Sequence, residues 1–265
     1  MWVVTGLLAL LCAGCGGGTF NSTSNPGPPQ NFAFDDEFNG AAIDTTQWYL
    51  FDRSDHWGGG SDCFHPANIT EAGGLATITA RKEMIPCTGD NSTFPYTTGM
   101  MSWLSFGYTY GAIEYSAKFP TSQGEWPAIW LLGTLCQPTG GGGSCNWPQP
   151  GSDEIDITEV LAGDQPDSAH PTVINQQIHT AGHDDGCKAT TTDISQNFHV
   201  YRLEWSAGLL VWKIDGVTTC TIQKSYVPNT PMFLLVDIFM GSAGGTIMDS
   251  SLPQTLQLDY VRLQQ

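Results

Sequence analysis

Along most of the chain apolar and polar residues alternate with the period of two that a half-buried strand requires. In Ile113-Glu-Tyr-Ser-Ala-Lys-Phe119 the odd positions are apolar, whereas Glu114, Ser116 and Lys118 are polar. Leu209-Leu-Val-Trp-Lys-Ile214 runs into Asp215-Gly216 and then Val217-Thr-Thr-Cys-Thr-Ile222, which reads as strand, two-residue turn and return strand. Further strands are predicted over 75–81, 126–132, 154–160, 176–179, 199–205, 232–240 and 256–263, separated by turns rich in Gly, Pro, Asn and Asp. Helical periodicity is nearly absent. Many short strands at this spacing predict an all-β sandwich or barrel, and 265 residues suffice for one large domain around a single core.

The N-terminus departs from that pattern. Trp2 to Leu11 is a short apolar run ending in Leu11-Cys-Ala-Gly-Cys15, too short to cross a bilayer and followed by small residues. Residues 1–15 therefore read as an export signal. The Ala13-Gly-Cys15 ending resembles a bacterial lipoprotein box, with a lipid anchor at Cys15; plain secretion and an N-terminal core strand are the other readings. Residues 16–30, dominated by Gly, Ser, Asn and Pro, read as a flexible linker, and the folded domain is expected over 31–265. Setting aside Cys12 and Cys15 leaves six of the eight cysteines, an even number in an exported chain. Sequential pairing is expected: Cys63 with Cys87, Cys136 with Cys145, and Cys187 with Cys220. The run Thr139-Gly-Gly-Gly-Gly-Ser144 between Cys136 and Cys145 then becomes a disulfide-closed surface loop.

Charge narrows the partners. Nine Lys and Arg stand against 26 Asp and Glu, a net charge of −17, so nucleic acid is excluded as a target. Neutral polymers are compatible with that charge, and nine tryptophans supply flat apolar faces of the kind that stack on sugar rings.

The densest candidate chemistry is Asp153-Glu-Ile-Asp-Ile-Thr-Glu159. In a regular strand Glu154, Asp156 and Thr158 share one face and Glu159 points to the other. A β-bulge between Asp156 and Glu159 would return Glu159 to the face of Glu154, and bulges concentrate beside active sites. Three crowded carboxylates cannot all ionise easily, so at least one pKa should rise, as acid–base cleavage of a glycoside needs. A calcium loop and a solvated acidic face are the plainer readings. The alternating Ile155, Ile157 and Val160 favour a sheet over both.

With these residues in place the chain resembles glycoside hydrolase family sixteen, in particular its laminarinase-like branch. The motif Glu-x-Asp-x-x-Glu of that branch is matched by Glu154, Asp156 and Glu159. The resemblance also covers Phe34-Asp-Asp-Glu-Phe-Asn-Gly40, Trp126-Pro-Ala-Ile-Trp-Leu-Leu-Gly133, Ile178-His-Thr180, Phe198-His-Val-Tyr-Arg-Leu-Glu-Trp205 and Leu258-Asp-Tyr-Val-Arg-Leu263. It implies a β-jelly-roll sandwich of two curved antiparallel sheets whose concave face binds a β-glucan. By that resemblance Glu154 is the nucleophile, Glu159 the acid/base, and Asp156 the residue that orients Glu154 and helps keep Glu159 protonated. Retention of configuration would need the two working carboxyls about 5 to 5.5 Å apart.

The same resemblance places His179 beside the acid/base, with a structural histidine as the alternative. Trp126 and Trp130, four apart on one strand, either frame the sugar at the scissile bond or pack in the core. Trp147 either stacks in the cleft or is an exposed loop aromatic, whereas Trp205 and Trp212 read as core. Where the family often has Ser-Gly-Arg this chain has Thr98-Gly-Met-Met101, and Asp237 stands where Asn is usual. Asp237 therefore reads as a ligand for sugar hydroxyls or as a buried, paired carboxylate. A structural calcium is implied at Glu37, Gly73 and Asp259 on the convex face, with no cofactor for catalysis.

The resulting expectation is a monomeric, secreted or surface-anchored endo-β-glucanase acting on β-1,3 linkages in laminarin-type or mixed-linkage glucans by double displacement. A galactan hydrolase or transglycosylase of the same fold, and a non-catalytic carbohydrate-binding surface protein, are the rival readings.

Overall fold

A computed structural model describes residues 31–54, 60–89, 91–138 and 145–265. The export signal, Cys15, the linker over 16–30 and the loop at 139–144 lie outside the described residues.

In chain order the strands are β1 (Phe34–Asp36), β2 (Trp48–Leu50), β3 (Arg53–Ser54), β4 (Asp62–Phe64), β5 (Ile69–Ala72), β6 (Leu75–Ala80), β7 (Tyr96–Thr98), β8 (Met100–Trp103) and β9 (Gly111–Lys118). They continue as β10 (Glu125–Gly133), β11 (Glu154–Glu159), β12 (Val173–Thr180), β13 (His183–Thr190), β14 (His199–Ser206), β15 (Leu209–Ile214), β16 (Val217–Gln223), β17 (Met232–Met240) and β18 (Gln254–Gln264). Two antiparallel sheets form the jelly-roll. One runs β16-β15-β14-β9-β18-β6-β5 with β1 added against β18, and the other runs β13-β12-β11-β10-β17-β8-β2. A small third sheet, β3-β4-β7, contains a parallel pair, β4 with β7, which the antiparallel expectation did not include.

The core lies between the two large sheets. Trp48, Trp103, Trp212, Tyr115 and Tyr201 are among its largest fully buried side chains. Burial of each such ring removes on the order of 150–250 Å² from water, and their contacts fix how the sheets face one another. Tyr115 on β9 and Thr158 on β11 bridge the layers with a 2.6 Å hydrogen bond, and the Trp205 indole N–H donates to the Pro228 carbonyl at 2.9 Å. The sequential disulfide pairing is present: Cys63–Cys87, Cys136–Cys145 and Cys187–Cys220. The last joins β13 to β16, the terminal strands of the two sheets, and so closes one side of the sandwich.

Strand β13 was not expected from the sequence. His183-Asp-Asp-Gly-Cys-Lys-Ala-Thr190 has no apolar alternation, because it is an edge strand held by its full ladder to β12.

Candidate active site

Strand β11 carries the acids. On the β12 side Asp156 pairs with Gln177 but Glu159 pairs with Asn175, so β11 has one residue more than its partner over that interval. On the β10 side Trp130 pairs with Asp156 and Ile129 with Thr158, which leaves Ile157 without an opposite residue. This is the bulge expected between Asp156 and Glu159. It reverses the facing of everything after it: Thr158 turns inward to Tyr115, and Glu159 turns to the side of Glu154 and Asp156. The Trp212 indole of the opposite sheet donates to the Asp156 carbonyl at 3.0 Å and so supports the backbone at the bulge.

The three carboxyls line a cavity of about 500 Å³ together with Trp126, Trp130, Trp147, His179, Ala128, Leu132 and Phe239. Trp126 and Trp130 alternate with Ala128 and Leu132 along β10, so one strand face supplies both tryptophans and the small residue that leaves room between them. The Trp126 N–H donates to Glu159 Oε1 at 2.9 Å. Trp147, 53% exposed, stands at the cavity's edge, tilted against His179, and donates a hydrogen bond to Glu154. Its loop is pinned by buried Asp153, which accepts from the Gly151 N–H at 3.0 Å and the Thr180 hydroxyl at 2.6 Å. Gly133 is required there, since a Cβ would lie 2.1 Å from the Gly151 carbonyl oxygen.

Two further positions are set by their partners. His179, opposite Glu154 across the β11–β12 ladder, has its Nε2 3.3 Å from Asp156 Oδ2 and 4.0 Å from Glu154 Oε1, and its charge also acts on Glu159. Asp156 therefore meets the histidine, and its influence on the two glutamates is through its charge. Asp237 is fully buried and accepts from the Trp130 N–H at 2.7 Å. Strand β17 sets it opposite Ala128, on the sheet face that carries the cavity, but it is covered there and holds the Trp130 indole.

The calcium set falls at one corner of the other sheet. Gly73 occupies the β5–β6 turn at φ +64°, Asp259 bulges from β18 between Leu258 and Tyr260, and Glu37 follows β1. Both Glu37 carboxylate oxygens accept from Arg262, at 2.6 and 2.8 Å. That side chain is satisfied by a cation already and does not fit the role of a metal ligand.

Electrostatics raise both glutamates. Burial, followed by the charge of Asp156, raises the Glu159 carboxyl to about 8, against the opposing pull of the Trp126 N–H. Glu154 is also raised well above the usual carboxylate range, by burial first and then Asp156, while His179 and Trp147 act in the opposite sense. Hydrogen bonding to Asp156 lifts His179 to about 10, so the ring is a cation at neutral pH. Two neighbouring buried glutamates do not ionise independently. The cation beside Glu154 favours the arrangement with the charge on Glu154 and the proton on Glu159.

A protonated and an ionised carboxyl held against one cleft can act as acid and nucleophile on the same acetal, which is the equipment of a glycoside hydrolase. Residues 63–262 match the glycosyl hydrolases family 16, and the chain belongs to that family. It is similar to the beta-glucanase of Rhodothermus marinus, 29% identical over 260 residues that cover 91% of this chain and 87% of that protein. It is also similar to the glucan endo-1,3-beta-glucosidase A1 of Niallia circulans, 28% identical over 88% of this chain; this chain spans only 37% of that relative's length. The solved structure of LamA from Z. galactanivorans in complex with laminaritriose and laminaritetraose has a TM-score of 0.77 and 29% identity, covering 88% of this chain and 98% of that one.

Proposed function

We propose that the protein is a retaining endo-β-glucanase that cleaves β-1,3 linkages in laminarin-type or mixed-linkage glucans. The observation that carries this reading is the bulge that brings Glu159 onto the wall shared by Glu154 and Asp156. Ionised Glu154 attacks the anomeric carbon while Glu159 donates its proton to the departing glycosidic oxygen, leaving a glycosyl ester on Glu154. Glu159, now a carboxylate, takes a proton from water; the water oxygen attacks the same carbon and Glu154 is released. Asp156 favours the protonated form of Glu159, and Trp126 and Trp130 offer faces for the sugar ring at the scissile bond.

The placement of Lys and Arg supports an uncharged substrate over a sulfated galactan, the His179 cation being already flanked by Asp156 and Asp184. Among the described residues no Lys or Arg lines the cavity, and Lys82, Lys188, Arg202, Lys213 and Arg262 are all paired with carboxylates elsewhere. The three disulfides fit an exported protein.

The test is release of reducing ends from laminarin, lichenan, barley glucan, agarose and carrageenan by wild type and Glu154→Gln. The reading requires release from the glucans by wild type alone. Binding of a glucan without any release would establish a carbohydrate-binding protein instead.

A further inference from the structure

Strands β12 and β13 set His179 directly opposite Asp184, and side chains so placed on one face of an antiparallel pair meet. Three groups then form a line across the sheet. Asp184 Oδ1 lies 2.7 Å from His179 Nδ1, and His179 Nε2 lies 3.3 Å from Asp156 Oδ2 and 4.0 Å from Glu154 Oε1. Carboxylates thus flank both ring nitrogens, Asp184 by a hydrogen bond and Asp156 at ion-pair distance, and both favour the imidazolium form. Among the described residues the titratable groups that face the ring are Glu154, Asp156 and, farther off, Glu159 from β11, and Asp184 from β13; the loop before β11 contributes the neutral Trp147 ring, 5.8 Å away.

We propose that Asp184 is a positioning residue for hydrolysis: its hold on Nδ1–H keeps the His179 cation aimed at Asp156 and Glu154, and so sets which carboxyl of the cluster carries the charge. The proposal rests on the roles given above to Glu154 and Glu159. The Asp184 side chain is 76% exposed and does not line the cavity, so it can be altered without opening the core. The charges that act on Glu154 are those of Asp156, His179 and Glu159. Asp184, farther out in solvent, reaches Glu154 through the ring.

The experiment compares wild type, Asp184→Ala and Asp184→Asn in the full chain. Two quantities are read: kcat/KM on laminarin against pH, and the pH at which the ¹⁵N-labelled His179 ring loses its second proton. With Asp184→Ala the ring is no longer held, Glu154 ionises less readily, and the acidic limb moves up by about half a pH unit, the size expected of a partly screened surface pair. The ring also deprotonates at lower pH than in wild type. Asp184→Asn, whose amide oxygen still accepts from Nδ1–H, brings the acidic limb back towards wild type. An even loss of kcat at every pH with the limb unmoved overturns the proposal, as does an unchanged ring titration. Failure of wild type to release reducing ends would instead remove the proposed function, and the ring titration would then decide alone whether Asp184 governs His179.

Discussion

Replacing Trp126 by Phe removes the N–H that Glu159 Oε1 accepts at 2.9 Å, yet keeps an aromatic ring against Phe239, whose centroid lies 5.1 Å away. Among the influences on Glu159, that N–H is the largest opposing the rise caused by burial and Asp156. A hydrogen bond to a charged group contributes roughly 1.5–3 kcal/mol, and about 1.4 kcal/mol corresponds to one pH unit, so complete loss would raise the carboxyl by about one to two units. Water entering the cleft recovers part of the bond, which leaves an expected rise of about one unit. A raised pKa keeps the acid protonated to higher pH. The basic limb of kcat/KM, which reports the acid in the free enzyme, should therefore shift upward by that amount while the acidic limb stays in place. The assay is reducing-end release from laminarin well below KM, across pH, for wild type and Trp126→Phe. Weaker sugar stacking lowers kcat/KM equally at every pH and moves neither limb, so the two effects separate. A basic limb that stays put, or moves down, refutes the assignment of Glu159 as the acid.

Glu159→Ala should lose about 10²- to 10⁴-fold on polysaccharide; with an activated aryl glycoside, azide should restore turnover and give a β-glycosyl azide, whereas an α product by NMR would contradict retention. Replacing Cys187 and Cys220 by Ala opens a link 33 residues apart in sequence and should lower stability by about 3–4 kcal/mol, read as a lower denaturant midpoint. Glu125 is fully buried on β10 and burial pushes its carboxyl up to about 7. Its folded-state pKa lies above the unfolded value, so the stability it contributes is complete below about 4.5 and is lost as pH rises through about 7, roughly 3 kcal/mol at most. Glu125→Gln should thus raise Tm at pH 8 and change it little at pH 4.5; equal effects at both pH values would show that the buried charge is not the cause.

The strands were legible wherever one face meets the core. Met232–Met240 coincides with its predicted range, and the hairpin around Asp215-Gly216 differs by one residue. The bulge was also legible, because a carboxylate required on the cavity side stands at the wrong parity in Glu154-Ile-Asp-Ile-Thr-Glu159, and only an extra residue reconciles the two. What the sequence could not carry was information held by neighbours. The polar strand β13 is defined by its pairing to β12, and Asp237 is placed by an indole more than a hundred residues away in sequence. The contact of His179 with Asp156 was likewise invisible, because it follows from the β11–β12 register that puts His179 opposite Glu154.

Thr158 and Glu159 exchange sides at Ile157, so the reactive acid and the buried Thr158–Tyr115 bridge depend on the same extra residue. Straightening the bulge with Ile157 kept would send the carboxyl into the interior and the hydroxyl into the cleft in a single event, whereas deleting Ile157 would leave a regular ladder with both facings unchanged. The facing of the acid is therefore held by the ladder on either side of the bulge and by the Thr158–Tyr115 bridge, so a change that weakens either acts on folding and chemistry together.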